Sequence, residues 1–392
     1  MRTKVAIVGA GPAGLMLGQL LTLMNISNVV VESRSKAYVE GRSRAGQITP
    51  ATVQILTESG VGSRIASEGM VHSALQFHYD GATRELDFQA LTGRTVTIYG
   101  QQEIIKDLVA ARLKSESPLL FDAADVQVHN TDGNAPAVSF RHDGRQQTLE
   151  CDFVVGCDGF HGICRPHIAD ALTCFSHTYP FAWLAVLAEM SPISPDVIFS
   201  SHETGLALFT MRSPKVSRIY LQCASDEDPN EWSATRIWEL LQSRIEGRPE
   251  KVNGGAIIEK SIVQLRSFVA EKMQKGRLFL AGDAAHIVPP SAAKGLNLAV
   301  SDANILARAF EHFYANDKDD LLLSYSDIAL KQVWRDVQFS HSMAMLLHRY
   351  DDNAQFHRRL QIAELDRILG SGPAAQNFAE LWVGNPPFAA SI

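Results

Sequence analysis

Apolar and polar positions divide the chain into three kinds of stretch. Continuous β-branched runs occur at Val5-Ala6-Ile7-Val8, Val29-Val30-Val31, Phe153-Val154-Val155 and across 277–281. Such runs predict strands buried on both faces of a parallel sheet. Alternating runs predict half-buried strands. Leu75, Phe77 and Tyr79 alternate with Gln76 and His78 ahead of Asp80-Gly81, and Leu86 and Phe88 follow, which reads as a hairpin. A second hairpin is predicted where Val138-Ser139-Phe140 and Thr148-Leu149 flank Asp143-Gly144. Short strand-like runs then dominate at 182–188, 197–200, 206–211, 218–222 and 261–269. Helical periodicity appears at 50–59, starting on a proline, and at 102–115, 232–245, 297–316 and 319–349. The pattern predicts an α/β protein. A Rossmann-like nucleotide domain is interrupted by a mostly antiparallel sheet, resumes, and ends in a C-terminal helical tail.

The links between these elements carry candidate chemistry. The first strand feeds Gly9-Ala10-Gly11-Pro12-Ala13-Gly14, which opens a helix, and Glu32 stands 18 residues beyond Gly14. In such a loop Gly9 permits the tight turn, Gly11 admits a pyrophosphate, and Gly14 lets helix pack on strand. The helix start offers free N–H groups to phosphate, and the acid suits a ribose hydroxyl. Strand, loop, helix and acid together predict a dinucleotide site. Arg42 and Arg44, in Arg42-Ser43-Arg44-Ala45-Gly46-Gln47, either hold pyrophosphate or ribose or form a solvated basic loop. Asp143-Gly144 is hairpin chemistry, whereas Asp158-Gly159 follows a buried strand, at the edge where ligands bind. Asp283, in Gly282-Asp283-Ala284-Ala285-His286, repeats that placement. Gly370-Ser371-Gly372-Pro373-Ala374-Ala375 also fits a G-x-G-x-x-A pattern, but it follows a helical run. It reads as a helix end and turn.

Composition narrows the classes. The chain has 392 residues, enough for two or more packed units, and 46% of them are hydrophobic. A formal charge of −7 without Lys/Arg blocks argues against nucleic acid or an anionic membrane as partner. No apolar run is long enough to span a bilayer, and the first strand begins too early to leave room for a signal peptide. Five cysteines without a C-x-x-C pair read as reduced thiols of a cytoplasmic protein. The thirteen histidines show no metal-ligand spacing, so no metal is expected.

The order Gly9-x-Gly11-x-x-Gly14 with Glu32, then Cys157-Asp158-Gly159, then Gly282-Asp283 resembles the single-component flavin-dependent aromatic hydroxylases. The closer likeness is to the para-hydroxybenzoate hydroxylase family. It is carried by Tyr99-Gly100-Gln101, Gly156 through Gly162, Leu265-Arg266-Ser267-Phe268-Val269, Leu278 through Pro290, and Lys294-Gly295-Leu296-Asn297-Leu298. The resemblance implies FAD on the first fingerprint, held by Gly9, Gly11, Ala13, Gly14, Glu32, Arg42, Arg44, Ala45, Gln47, Gln101, Asp158 and Asp283, with Leu296 and Asn297 beside the flavin ring. It implies a substrate carboxylate on Arg212 with Thr210 and Tyr220, a Pro290 carbonyl near the reacting ring, and NADH or NADPH at Arg34, Arg44, His161 and Arg266. Arg34 and Lys36 favour NADPH, but Ser33 replaces a family arginine. The family chemistry is reduction of flavin by NAD(P)H, formation of a C4a-hydroperoxyflavin with O2, and oxygen delivery to the ring. A homodimer is also implied. By the same resemblance residues 1–175 form the first part of the FAD-binding domain, 176–270 the substrate sheet, 271–300 the return to the FAD domain and 301–392 the helical region.

The chain departs from the family at its proton relay. His72 is present as a candidate catalytic residue, but the two relay tyrosines are replaced by Phe199 and Trp382. Phenylalanine has no polar atom and an indole N–H only donates. The expected substrate is therefore an aromatic or heteroaromatic acid that needs no such relay, such as a hydroxypyridine acid or an aminobenzoate. The alternatives are hydroxylation of 4-hydroxybenzoate itself, or a flavoprotein oxidase or dehydrogenase without oxygen insertion.

Overall fold

The computed structural model describes residues 1–42, 46–115, 117–252, 254–350 and 354–384. Two sheets organise it. The first runs in the order Gln274–Lys275, Leu278–Leu280, Phe153–Gly156, Val5–Val8, Asn28–Val31, Leu119–Leu120. All pairings within it are parallel except that of the edge strand Gln274–Lys275. The continuous apolar runs fall at its centre, where Val5, Ala6, Ile7, Val154 and Val155 have no exposure. Helix Pro12–Leu23 and helix Gly295–Asn316 bury their apolar stripes in the same core.

The second sheet has the order His286–Ile287, Ile257–Glu271, Thr173–Ala188, Val216–Cys223, Gly205–Ser213, Val197–His202, Ala74–Tyr79, Ala82–Asp87. Among these neighbours only Val197–His202 and Ala74–Tyr79 run parallel. Side chains alternate across it with period two. Ala182, Leu184, Ile198, Phe209, Ile219 and Leu221 pack on helix Ala234–Ser243. Phe77, Trp183, Phe199, Leu208 and Tyr220 face helices Tyr325–Leu347 and Gly372–Val383 on the other side.

The structure corrects several sequence-based expectations. The hairpin Ala74–Asp87, counted within residues 1–175, pairs with Val197–His202 and so belongs to the large sheet. That pairing joins segments more than a hundred residues apart, which local alternation does not report. The strands expected at 182–188 and 261–269 lie within longer ones, Thr173–Ala188 and Ile257–Glu271, paired along most of their length. The long helix expected at 319–349 is divided at Ser324 into Asp320–Leu323 and Tyr325–Leu347. The second glycine pattern lies at the joint of helices Ala354–Gly370 and Gly372–Val383, with Pro373 in the first turn of the latter.

Two histidines are sealed into apolar surroundings. His348 is fully buried, stacked on Phe181 at 4.1 Å, and accepts the Trp183 indole N–H at 2.6 Å through Nε2. Its Nδ1 lies 2.7 Å from the Ala344 carbonyl, which fixes the neutral tautomer protonated there. Burial lowers its pKa to about 3, and lowers that of His72 to about 4. Each stays neutral in the folded state while the unfolded chain takes up a proton near pH 6.5. Stability is therefore full above pH 6.5 and declines as pH falls towards the folded values. Replacing His72 by Leu should remove one proton from that dependence, flattening urea unfolding free energy by up to about 1.4 kcal/mol per pH unit between pH 6.5 and 4. Identical slopes in the two proteins would show that His72 is protonated in the folded state.

Candidate active site

The fingerprint loop is built by close backbone approach. Gly9 has φ of +107°, and a Cβ there would lie 2.3 Å from the Cys157 carbonyl oxygen. A Cβ on Gly14 would lie 2.0 Å from the Gly9 carbonyl. Gly11 is different: the nearest atom to a Cβ there is 3.9 Å away, so the loop is open on that side. Gly11 caps helix Pro12–Leu23, whose first internal bond is Leu15 N–H to Gly11 O. The amides of Ala13 and Gly14 are left directed at the opening. The Glu32 carboxylate accepts Ala10 N–H at 2.7 Å and Arg34 N–H at 2.8 Å, which holds it at the end of its strand beside the loop.

The return segment closes on this helix start. Gly282, at φ +63°, sits where a Cβ would be 3.2 Å from that of Ala13, so exposed Asp283 stands next to the fingerprint. Asp302 fixes the segment from beneath. Its carboxylate accepts Gly282 N–H at 2.8 Å and lies 2.7 Å from His286 Nε2, both side chains being 2% exposed. Burial opposes charge on His286, but the Asp302 carboxylate outweighs it and the pKa is raised. Sequence reading missed Asp302, because a lone acid on a helix carries no motif.

Asp158 acts on its own loop. Its Oδ2 accepts Ile163 N–H at 2.7 Å and Cys164 N–H at 2.9 Å, while Oδ1 is buried without a partner among the described residues. Burial raises its pKa. The loop so formed carries Phe160 between two guanidiniums, Arg165 and Arg266, each 4.5 Å from the ring centroid. Arg165 also donates to Ala284 O at 3.1 Å, so Phe160, exposed His161, Arg266 and the Asp283 segment form one neighbourhood.

Asn297 is a junction. Its Oδ1 accepts Thr49 N–H at 2.9 Å and the Thr52 hydroxyl at 2.7 Å, and its Nδ2 donates to Gln47 O and Ala293 O. It ties the start of helix Gly295–Asn316, with half-buried Leu296, to buried Gln47. Gln101 begins helix Gln101–Lys114, next to Tyr99, whose N–H donates to Gly46 O. Arg34 and Arg42 are exposed, and Arg44 and Ala45 lie outside the described residues. Pro290 is half-buried, and its carbonyl accepts Ala293 N–H at 3.1 Å.

The large sheet supplies the other wall. Tyr220 stands opposite Leu208, and Leu208 opposite Phe199, so these three share a face with Thr210, and Arg212 follows at the irregularity between Met211 and Ser213. Arg212 Nη1 donates to Met211 O at 3.3 Å, and its pKa is lowered mainly by burial, with Tyr220 close enough to oppose that shift. Arg212 Nε is buried without a partner among the described residues, as are Nε and Nη1 of Arg218; its closest acid is Glu259, at 3.8 Å. The Thr210 hydroxyl donates to Arg218 O at 2.8 Å, which commits its proton to the strand. Trp183 backs Tyr220 at 4.8 Å between ring centroids. Phe199 stacks on Phe77 at 5.7 Å and meets Trp382 edge-on at 5.9 Å. His72 is 2% exposed, with neither ring nitrogen hydrogen-bonded among the described residues. Arg218 and Trp183 were missed in the sequence, where they read only as strand positions.

A family model described as FAD binding domain matches residues 2–340. Over 389 residues the chain is 44% identical to p-hydroxybenzoate hydroxylase of Acinetobacter baylyi, an alignment covering 98% of this chain and 96% of that protein. The chain belongs to the para-hydroxybenzoate hydroxylase family. It is 24% identical over 331 residues to a 3-(3-hydroxy-phenyl)propionate/3-hydroxycinnamic acid hydroxylase of Mycobacterium sp. (strain JLS), across 83% of this chain and 57% of that protein. The crystal structure of p-nitrophenol 4-monooxygenase PnpA from Pseudomonas putida superposes with a TM-score of 0.80 at 19% identity, covering 98% of this chain and 99% of that one. At that identity the likeness speaks for the fold alone.

As a member of this family the chain is a flavin-dependent aromatic hydroxylase with FAD as cofactor, and the open side at Gly11 with free amides at Ala13 and Gly14 fits a pyrophosphate. Gly14→Ala should therefore abolish FAD retention, since the new Cβ meets backbone that cannot yield. Purified variant should be colourless where the parent shows flavin absorbance, and a yellow variant would refute this account of the loop.

Proposed function

We propose that the chain hydroxylates a benzoate-type acid, with 4-hydroxybenzoate as the reference substrate, using O2 and electrons from NADH or NADPH. The observation that carries this is Arg212, a half-buried guanidinium whose Nε is buried without a partner among the described residues, whereas buried Arg218 is paired with Glu259 at 3.8 Å. Buried charges are normally matched, and an unmatched one is costly. Arg212 lies on an otherwise aromatic wall with its Nε unpaired and Tyr220 beside it, an arrangement suited to an anionic group on an apolar ring. Full-length likeness to a p-hydroxybenzoate hydroxylase supports the same substrate class.

In this reading Arg212 holds the carboxylate, Tyr220 assists, and Thr210 shapes the same end of the pocket. Trp183 and His348 keep Tyr220 in place from behind. Gly9, Gly11, Ala13, Gly14, Glu32, Arg42, Gln47, Gln101 and Asp283 hold FAD, with Leu296 and Asn297 at the helix start facing it. Bound FAD supplies the oxygen-activating redox chemistry. The apolar wall of Phe77, Phe199, Phe378 and Trp382 excludes water from the reacting ring. Arg34, His161 and Arg266 receive the nicotinamide cofactor, and Asp158 positions the loop that carries His161.

A second reading is favoured by one observation: Phe199, Trp382 and unpartnered His72 offer no hydrogen-bonded path for a proton. A hydroxypyridine acid or an aminobenzoate, already electron-rich without such a path, fits that wall. Product analysis separates the readings. Coupled conversion of 4-hydroxybenzoate to a dihydroxybenzoate supports the first, while NAD(P)H oxidation with it that yields only hydrogen peroxide, alongside coupled turnover of a hydroxypyridine acid or an aminobenzoate, supports the second. Under either reading Arg212→Met should raise KM for the acid by roughly 100-fold with FAD retained, the scale of losing one partner of a buried charged pair. An unchanged KM would remove Arg212 from the site.

A further inference from the structure

Helix Tyr325–Leu347 and the residue that ends it are tied to strand Thr173–Ala188 by two histidines. His341 and His348 stand seven residues apart, two turns, and so on one side of the helix. Each is hydrogen-bonded to an aromatic side chain of the strand. His341 Nδ1 lies 2.9 Å from the Tyr179 hydroxyl, and His348 Nε2 accepts the Trp183 indole N–H at 2.6 Å. The first bond is open to water, because His341 is exposed. The second is sealed, with His348 at 0% exposure and Trp183 at 1%. A buried indole that loses its acceptor has no water to replace it, so the His348 bond carries the larger penalty if broken.

His348 is held so that this one atom accepts. Its backbone N–H and its Nδ1 both reach the Ala344 carbonyl, at 3.2 and 2.7 Å, and its own carbonyl accepts Gln361 Nε2 at 2.7 Å from helix Ala354–Gly370. The ring lies flat on Phe181, 4.1 Å away with 8° between the planes. With the proton on Nδ1, Nε2 can only accept. Trp183 is thereby fixed against Tyr220, and Tyr220 is close to Arg212. A line of contact runs from the end of a helix, through two rings, to the anion site.

We propose that His348 is a positioning residue for acid binding: by accepting the Trp183 N–H it fixes the wall behind Tyr220, and so sets the affinity of the Arg212 end for a carboxylate. The inference deepens the reading that Arg212 binds the carboxylate and rests on it. A Tyr220 ring free to tilt must be ordered each time an acid binds, which subtracts from affinity, whereas a ring already braced needs no such ordering. The nucleotide fingerprint lies on the other sheet, so FAD retention is independent of this bond.

The test is a double-mutant cycle on the FAD-loaded enzyme, with His348→Leu and Trp183→Phe, read as the dissociation constant of benzoate from the flavin absorbance change. Each single variant should weaken benzoate by about three- to tenfold, the range of one net hydrogen bond, and the double variant should be no weaker than either. His348→Gln, whose amide oxygen can accept the indole N–H, should bind within about twofold of the parent. In turnover the loss should appear in KM, with kcat within about twofold. A purely structural role would multiply the two losses in the double variant and deny rescue by glutamine; either result overturns the proposal. If His348→Leu does not fold, unchanged benzoate binding in Trp183→Phe, which keeps an aromatic ring in place, overturns it as well. Arg212→Met separates the inference from the reading beneath it. If that variant binds benzoate like the parent, the carboxylate reading falls and this one with it; if it loses benzoate while both cycle variants keep it, only the role of His348 falls.

Discussion

Two missing β-carbons hold the nucleotide half together. Gly9 and Gly14 let the first strand, the helix after it and the strand ending at Gly156 meet at distances no side chain allows. That contact sets the direction of helix Pro12–Leu23, and with it the free amides at its start. Everything on the cofactor side is then referred to that point. Gly282 closes on Ala13 with only one-carbon neighbours between them, and Asp302 locks it there through a backbone N–H and a buried histidine. Segments nearly three hundred residues apart are brought together by small side chains and one carboxylate.

The substrate side is built on the opposite principle. The cofactor side satisfies most of its polar groups internally, as at Asn297, which bonds to four different residues. Around the large sheet, polar atoms of Arg212 and Arg218 on its strands, of His72 on the short strand Met70–His72 and of Trp382 on helix Gly372–Val383 are buried and unpaired among the described residues. Each such group costs stability in the empty protein and is relieved by a ligand of the right chemistry. Both faces of the sheet are covered by helices, which makes the desolvation complete enough for the mismatch to matter.

Much of the nucleotide domain was legible because its determinants are local. A β-branched run, a spaced set of glycines and an acid at the end of the next strand lie within 32 residues, and each physical role can be assigned without a fold. The large sheet was legible only in part. Its strands alternate, so their existence follows from the sequence, but the union of Ala74–Asp87 with Val197–His202 is a long-range pairing with no local mark. Residues that act through others were invisible for the same reason. Asp302, Arg218, Trp183, His348 and Lys294 each gain meaning from a partner on another element. Asp158 shows a subtler limit: its motif was evident, yet the carboxylate spends its hydrogen bonds shaping the loop that presents His161.

Identity averaged over a chain therefore informs the two halves unequally. The motifs that carry the likeness to p-hydroxybenzoate hydroxylase lie mostly in the segments that form the cofactor side. Phe199 and Trp382 lie in none of them, although their rings meet edge-on at 5.9 Å in the same apolar cluster as Tyr220. Replacing a proton-passing pair by a hydrocarbon ring and a donor-only indole leaves the fold, the flavin site and the anion site untouched. What changes is the chemistry of the wall those two side chains form. Two side chains outside every motif therefore set the character of the wall they form, in which the indole alone keeps a polar atom.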